Sequence, residues 1–299
     1  MHQIIFAHTL LFNDEPSLNG NREDFSQDFP LRISVLEDKK SYGSYVFLLK
    51  SEKVLLSGVD AYYYSQKAFE HLDEKAVWAL KIKDILFLVW DGRKRQIVYR
   101  KGRHYSTERL RFWVYHTFFP LVLALQNRYY LLHAGAVEVE GMPVLFSAFS
   151  FGGKSTLTNY FLKKGHTLLS DDSLAVEVKN DQFYAVPSYP YYRPYREMQS
   201  LGYYTENFAQ ESKTIHVVYA LKKMDARGDV IITELQGIEK FKALYKSIFI
   251  DFDFMKKKYF DFFTQMATHI PIYEVSIPWD LARLEEVYNA ICMHSNSLL

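Results

Sequence analysis

MPVLFSAFSFGGKSTLTNYFLKKGHTLLSDD, residues 142–172, is the stretch from which the rest of the chain is read. Its apolar run (Val144, Leu145, Phe146) enters a turn of small residues, and Gly152-Gly153-Lys154-Ser155-Thr156 then opens a helix. Strand, glycine-rich turn, then a helix N-terminus carrying Lys and Ser is the order of a phosphate-binding loop. The first N–H groups of a helix have no intrahelical partner, and the helix dipole adds positive potential there. Ser150, Phe151, Gly152, Gly153, Lys154, Ser155 and Thr156 are therefore read as a cradle for a polyphosphate. Lys154 is expected to reach the terminal phosphates, and the Ser155 hydroxyl to ligate Mg²⁺.

The loop departs from GxxxxGK[ST] in two ways. Ala148 stands where the first glycine belongs, which is tolerable if that position needs no positive φ. Phe149 and Phe151 occupy positions that are usually small or polar, and they put bulk beside the anion. A chance GGKST in an ordinary strand–helix turn is the competing account, and the strand-then-helix context weighs against it. After the helix Ser155–Lys164, Gly165-His166 makes the C-terminal turn. Thr167–Ser170 then reads as a buried strand that delivers Asp171 and Asp172 at its carboxyl end. One such carboxylate can ligate Mg²⁺ while the other accepts a hydroxyl proton. By itself the pair reads better as a solvated turn before Leu174–Val178, but after GGKST the catalytic reading leads.

His133 in LLHAGAVEVEGMPVLFSA, the GGKST loop and GHTLLSDDSLAVEV together resemble HPr kinase/phosphorylase and its relatives, among them kinases of lasso-type peptide precursors. That group belongs to the phosphoenolpyruvate-carboxykinase-like class of phosphate-loop proteins. The resemblance covers residues 130–194 and continues weakly into PIYEVSIPWDLARLEEVYNAI, residues 271–291. It implies an α/β (α+β) fold in which a mixed sheet flanked by helices carries the loop. It also implies that Asp171 is the acid/base toward an acceptor hydroxyl and Asp172 the metal-side carboxylate, two roles that can be exchanged. Lys154 and Ser155 would bind phosphate and Mg²⁺, and His133 would lie beside the transferring phosphoryl group. The implied donor is ATP or another nucleoside triphosphate, and the implied partner is a peptide or protein with an acceptor serine. The glycine-bearing signature that follows in true HPr kinases is not visible, so phosphorylase activity and HPr as substrate are not carried over.

Composition sets outer bounds. At 48% hydrophobic and 24% charged residues, the 299-residue chain is long enough for a sizeable core in one large domain or two. A formal charge of +1 supplies no long-range field toward nucleic acid or an anionic membrane. A single cysteine, Cys292, excludes an intrachain disulfide and fits a reducing compartment, so a cytoplasmic location is expected. No apolar run approaches the ~18 residues a bilayer span needs. Homo-oligomerisation is left open.

Three regions are expected: a β-rich domain over 1–104, with substrate or partner recognition as a candidate role, a connecting helix over 105–128 and the nucleotide-binding domain over 129–299. In the first, Gln3–Phe12, Leu31–Leu36, Tyr45–Leu49 and Val54–Ser57 read as strands. Ile85–Trp90 and Gln96–Tyr99 read as a hairpin about Asp91-Gly92, with Arg93-Lys94-Arg95 as a solvated tip rather than a phosphate patch. Thr107–Asn127 is apolar at helical spacing and is expected to kink near Pro120.

In the nucleotide domain, Tyr129–Val139 and Pro143–Phe146 read as a hairpin, with His133 on its first strand. Leu174–Val178 and Phe183–Pro187 read as another. Next comes SYPYYRPYREM, residues 188–198, where Arg193 is the choice for contacting phosphate or a substrate carboxylate. A rigid aromatic loop whose arginines, Arg193 and Arg196, pair with surface acids is an equal reading. Leu201–Thr214 reads as a mobile lid or a short helix. Strands follow at Ile215–Leu221, with Lys222 and Lys223 at its end, and at Val230–Glu234. One or two helices occupy Ile238–His269, and a strand at Pro271–Ile277 leads into a closing helix, Asp280–His294.

Two function classes remain: a Mg²⁺-dependent kinase, and a catalytically weak or idle nucleotide-binding module that regulates a partner. The loop reads phosphates and not the base, so the nature of the donor stays open within the first class.

Overall fold

The computed structural model describes residues 3–12, 31–38, 45–149, 151–194 and 199–299; Ser150 and Arg196 lie outside them. The fold is mixed α/β, with several sheets and few helices. Contacts divide the chain into one unit of Met1–Arg128 with Met198–Ser200, and a second of Tyr129–Glu197 with Leu201–Leu299.

Alternation of buried and half-buried residues builds the first unit. Its strands are β1 (Gln3–Ile5), β2 (His8–Phe12), β3 (Leu31–Glu37), β4 (Leu49–Lys50), β5 (Val54–Leu56), β6 (Val59–Ser65), β7 (Val77–Ile82), β8 (Leu86–Asp91) and β9 (Gln96–Lys101). They form one sheet in the order β1-β2-β3-β9-β8-β7-β6-β4, with β5 also on β6. The expected single strand Gln3–Phe12 is two, because Phe6 and Ala7 both take left-handed φ and turn the chain back. Tyr45–Leu49 contributes only its last residue to a strand. β6 and β7 were not expected from the sequence, since Val77–Ile82 is apolar almost throughout and shows no period of two.

The Asp91-Gly92 turn is real, but glycine is needed there for space and not for φ. A Cβ at Gly92 would run into the carbonyl oxygen of Glu74 and lie 2.8 Å from that of Ala76. The Asp91 carboxylate accepts the N–H groups of Arg93 and Lys94, both at 3.2 Å, and Arg95 carries the left-handed φ of the loop.

The expected helix over Thr107–Asn127 is two short ones, α1 (Thr107–Trp113) and α2 (Phe119–Leu125). Val114–Phe118 forms a widened turn between them, in which the Phe119 N–H reaches the Val114 carbonyl five residues back. Pro120 supplies no N–H to the ladder, and the turn before it opens accordingly.

In the second unit the strands are β10 (Tyr130–Leu132), β11 (Ala134–Val139), β12 (Met142–Ser147), β13 (Leu168–Ser170), β14 (Leu174–Lys179), β15 (Gln182–Val186), β16 (Tyr191–Tyr192), β17 (Tyr203–Tyr204), β18 (Lys213–Thr214), β19 (Val217–Met224), β20 (Ile231–Glu234) and β21 (Ile272–Pro278). The helices are α3 (Lys154–Lys163), α4 (Ile238–Tyr245), α5 (Lys256–His269) and α6 (Leu284–Asn296). The main sheet runs β13-β11-β12-β19-β21-β20, and a second runs β10-β14-β15-β18. The segment 201–214 holds the short strands β17 and β18 and no helix.

Phe146, Leu157, Phe161, Tyr219, Val275, Val287 and Ile291 are buried together, which joins α3 and α6 to one face of the main sheet. Leu157 and Phe161 are four residues apart, so one stripe of α3 meets the sheet while Lys163 and Lys164 stay outside. Each such side chain contributes roughly 1.5–3 kcal/mol by leaving water. Among the described residues no helix is long and apolar enough to cross a membrane.

Gly92→Ala is expected to destabilise the chain by about 1–3 kcal/mol, because backbone oxygens on β7's approach must move. Denaturant unfolding of the variant reads this directly; wild-type stability would mean the turn has slack that the packing does not show.

Candidate functional site

Strand direction gathers the site. β12 and β13 both run antiparallel to β11, so they point the same way, and β19 and β21 run parallel to β12. Four carboxyl ends and the amino end of β11 therefore share one edge of the sheet. That edge carries the loop after β12, Asp171 and Asp172 after β13, Lys223 near the end of β19, Trp279 after β21 and His133 just before β11. Ligands of open α/β sheets bind outside the carboxyl ends of strands.

A cleft of about 290 Å³ opens there, lined by His133, Phe151, Gly152, Gly153, Lys154, Ser155, Thr156, Asp171, Asp172, Arg193, Pro194, Lys223 and Trp279. It brings together every candidate residue of the sequence that the structure describes. The sequence offers Lys222 and Lys223 together as a strand-end basic group, which the resemblance would set beside the transferring phosphate, without choosing between them, and Trp279 carries no signal. Lys223 and Trp279 both owe their place to strand register across the sheet, which no local pattern reveals.

The loop solves its missing glycine by moving the left-handed positions. Ala148 has no positive φ; Phe151 (φ 62°) and Gly153 (φ 92°) take that conformation instead. At Gly152 a Cβ would sit 2.5 Å from the Ala148 Cβ, so glycine is required two residues before the helix start at Lys154. The two phenylalanine rings do not fill the cradle: Phe149 is 64% and Phe151 73% exposed. Phe149 instead carries the Lys246 ammonium 4.8 Å from its centroid. Lys154 is buried, and its Nζ donates to the carbonyls of Ala148 (2.9 Å) and Phe149 (3.4 Å).

His133 does not lie on a continuous strand as expected. The chain changes sheets there, from β10 to β11, and the His133 N–H donates to the Ser247 carbonyl at 2.6 Å. Its Nδ1 lies 3.1 Å from the Asp172 carbonyl and 3.2 Å from Asp172 Oδ1. On the other side of Asp172, Arg193 Nη2 donates to Oδ2 at 3.1 Å. The backbone N–H of Arg193 donates to Asp171 Oδ2 at 2.8 Å. One arginine thus holds both acids, through its main chain and its side chain.

Asp171 is 2% exposed. Burial pushes its carboxyl up to about 6; the neighbouring Asp172 charge adds to this, and the Arg193 N–H and guanidinium and the Ser155 hydroxyl act against it. Asp171 Oδ1 is buried without a hydrogen-bond partner among the described residues. A buried carboxylate oxygen left open beside a serine hydroxyl suits a hard cation such as Mg²⁺. Both Asp172 oxygens have partners, yet a carboxylate oxygen accepts twice, so Ser155 and Asp172 fit the expected metal side as well. No group of three or more His, Cys, Asp or Glu among the described residues could cage a metal, so phosphate and water oxygens would have to complete the shell.

No protein-family model matches the chain, and no curated protein matches it. Among solved structures it is similar to the Hpr(Ser) kinase/phosphatase from Coxiella burnetii, at 15% identity and a TM-score of 0.35, over 56% of this chain and 90% of that one. At that level the likeness carries no weight for function; the cleft does.

Asp171 binds its proton more tightly folded, near 6, than unfolded, near 3.8. Its contribution to stability is therefore largest at acid pH and falls as pH rises from about 4 to above 6, by about 3 kcal/mol. Denaturant unfolding across that range should show this loss in the wild type and not in Asp171→Asn. Parallel profiles would mean the carboxyl is not the buried, proton-holding group described.

Proposed function

We propose that the chain is a Mg²⁺-dependent phosphotransferase that moves the terminal phosphoryl group of a nucleoside triphosphate, ATP, to the hydroxyl of a serine in a peptide or protein. The observation that supports this is the single edge on which a helix N-terminus, a lysine, the buried Asp171 and the half-buried Asp172 meet. Phosphoryl transfer asks mostly for positioning and for charge neutralisation, and the cleft offers both.

The N–H groups from Gly153 to Thr156 bind the phosphate chain, the Gly152 N–H being given to the Phe149 carbonyl at 2.9 Å. Lys154 turns from the carbonyls of Ala148 and Phe149 toward the terminal phosphates, and Arg193 offsets charge on the transferred group. Mg²⁺ held by Ser155 and Asp172 would neutralise further charge on the phosphoryl oxygens. Asp171 accepts the proton of the serine hydroxyl while that oxygen forms its bond to phosphorus and the bond to the leaving diphosphate breaks. His133 and Arg193 keep Asp172 oriented from either side. The cationic side chains leave room for a second reading, a nucleotide-binding module without turnover, which the engagement of Lys154 by its own loop favours.

A titration with Mg-ATP followed by a labelled-phosphate assay over serine peptides separates the two. Asp171→Asn should cut transfer by about 10²-fold or more and leave nucleotide affinity nearly unchanged. In the wild type, transfer should fall as pH drops below about 6, where the Asp171 carboxylate takes up its proton. Wild-type transfer by Asp171→Asn removes the base assignment, and binding without transfer to any acceptor favours the module.

A further inference from the structure

The phosphate chain of that reading has a direction, and the direction leads to a residue with no role so far. Its transferred end must lie with Asp171, Asp172 and Arg193. Its other end then passes Gly153 and Thr156, along the first turn of α3. Trp279 stands there: two of its ring atoms lie 3.4 and 3.6 Å from where a Gly153 Cβ would be. The ring lines the same cleft as Thr156 and is 49% exposed. A large apolar side chain is thus left partly in water at the margin of a polar cleft, an arrangement that an occupant with a flat apolar face would relieve.

Lys223 completes the picture. Its Nζ lies 3.6 Å from the Trp279 ring centroid. A phosphate oxygen is a stronger partner for an ammonium than a ring face in water. A phosphate arriving in the cleft would draw Lys223 toward itself and uncover the indole.

We propose that Trp279 is the stacking platform for the nucleobase of the donor, with Lys223 passing from the ring to the phosphate chain as the nucleotide binds. The inference rests on the phosphate-loop reading and adds to it a subsite that reads the base, where the loop reads only phosphate. Stacking on an aromatic side chain tolerates any base, so the site selects a nucleotide over a bare polyphosphate more than one base over another.

Tryptophan fluorescence can isolate this residue, because Trp78, Trp90 and Trp113 are at most 2% exposed while Trp279 is open to solvent. The test titrates Mg-ATP and Mg-tripolyphosphate into the full chain, as wild type, Trp279→Ala and Trp279→Phe. ATP should quench the exposed emission more than tripolyphosphate does. Trp279→Ala should weaken ATP by about tenfold and leave tripolyphosphate close to its wild-type affinity. Trp279→Phe should keep most of the preference for ATP, and it decides the matter if the alanine variant does not fold. Equal weakening of both ligands, no weakening of ATP, or equal quenching by the two in the wild type overturns the platform while leaving the phosphate loop in place. If the wild type binds neither ligand, the loop reading falls first and the platform with it.

Discussion

A carboxyl group sunk to 2% exposure at the end of β13 is the constraint to which the rest of the cleft answers. Taking an ionised carboxylate out of water costs several kcal/mol unless hydrogen bonds and opposite charge replace the solvent. Here one N–H does part of that work, and a guanidinium from the same residue steadies the neighbouring acid. For Arg193 to serve both, its main chain must be fixed in place, and Pro190 and Pro194 bracket it with restricted φ on either side. The residue after that strand end, Asp172, is then held between Arg193 and His133, and His133 is itself pinned through its backbone to Ser247. The two adjacent acids thus tie together β13, the break between β10 and β11, and the proline loop.

What could be read from the sequence follows the range over which each signal acts. Strand, loop and helix from Val144 to Lys163 were legible because apolar periodicity and glycine placement act within a few residues. The acid pair was legible only in company, since two aspartates alone read as a turn. Arg193 is the sequence's choice for its chemistry, with pairing to surface acids as the equal reading; its partners in the structure are acids, but those of the cleft. His133 was placed on the wrong kind of backbone, because a change of sheet leaves no mark in hydrophobicity when both strands are apolar. The rings of Phe149 and Phe151 looked obstructive by position alone. Both rings are exposed, and Phe151 takes a left-handed φ that composition does not encode.

Register explains the remaining gap. Lys223 and Trp279 stand more than fifty residues from each other and further still from the loop, yet parallel pairing of β12, β19 and β21 sets their carboxyl ends side by side. Lys222, one position earlier, points to the other face of the sheet's edge and pairs with Glu274 at 2.7 Å. The alternation of side chains along a strand decides which of two adjacent lysines enters the cleft.

Charge gives the last step. Lys154, Arg193 and Lys223 bring three positive charges to the cleft against the carboxylates of Asp171 and Asp172. Much of that positive charge is already engaged, by loop carbonyls, by Asp172 and by an indole ring. A triphosphate would outweigh the small excess that remains, so the cleft by itself balances only part of such a ligand. The unpartnered Oδ1 of Asp171 marks where further positive charge is wanted, and a proton meets that need below about pH 6. At neutral pH the same oxygen is open to a divalent cation or to the hydroxyl proton of an acceptor, and these are the two demands that phosphoryl transfer makes on an acid pair.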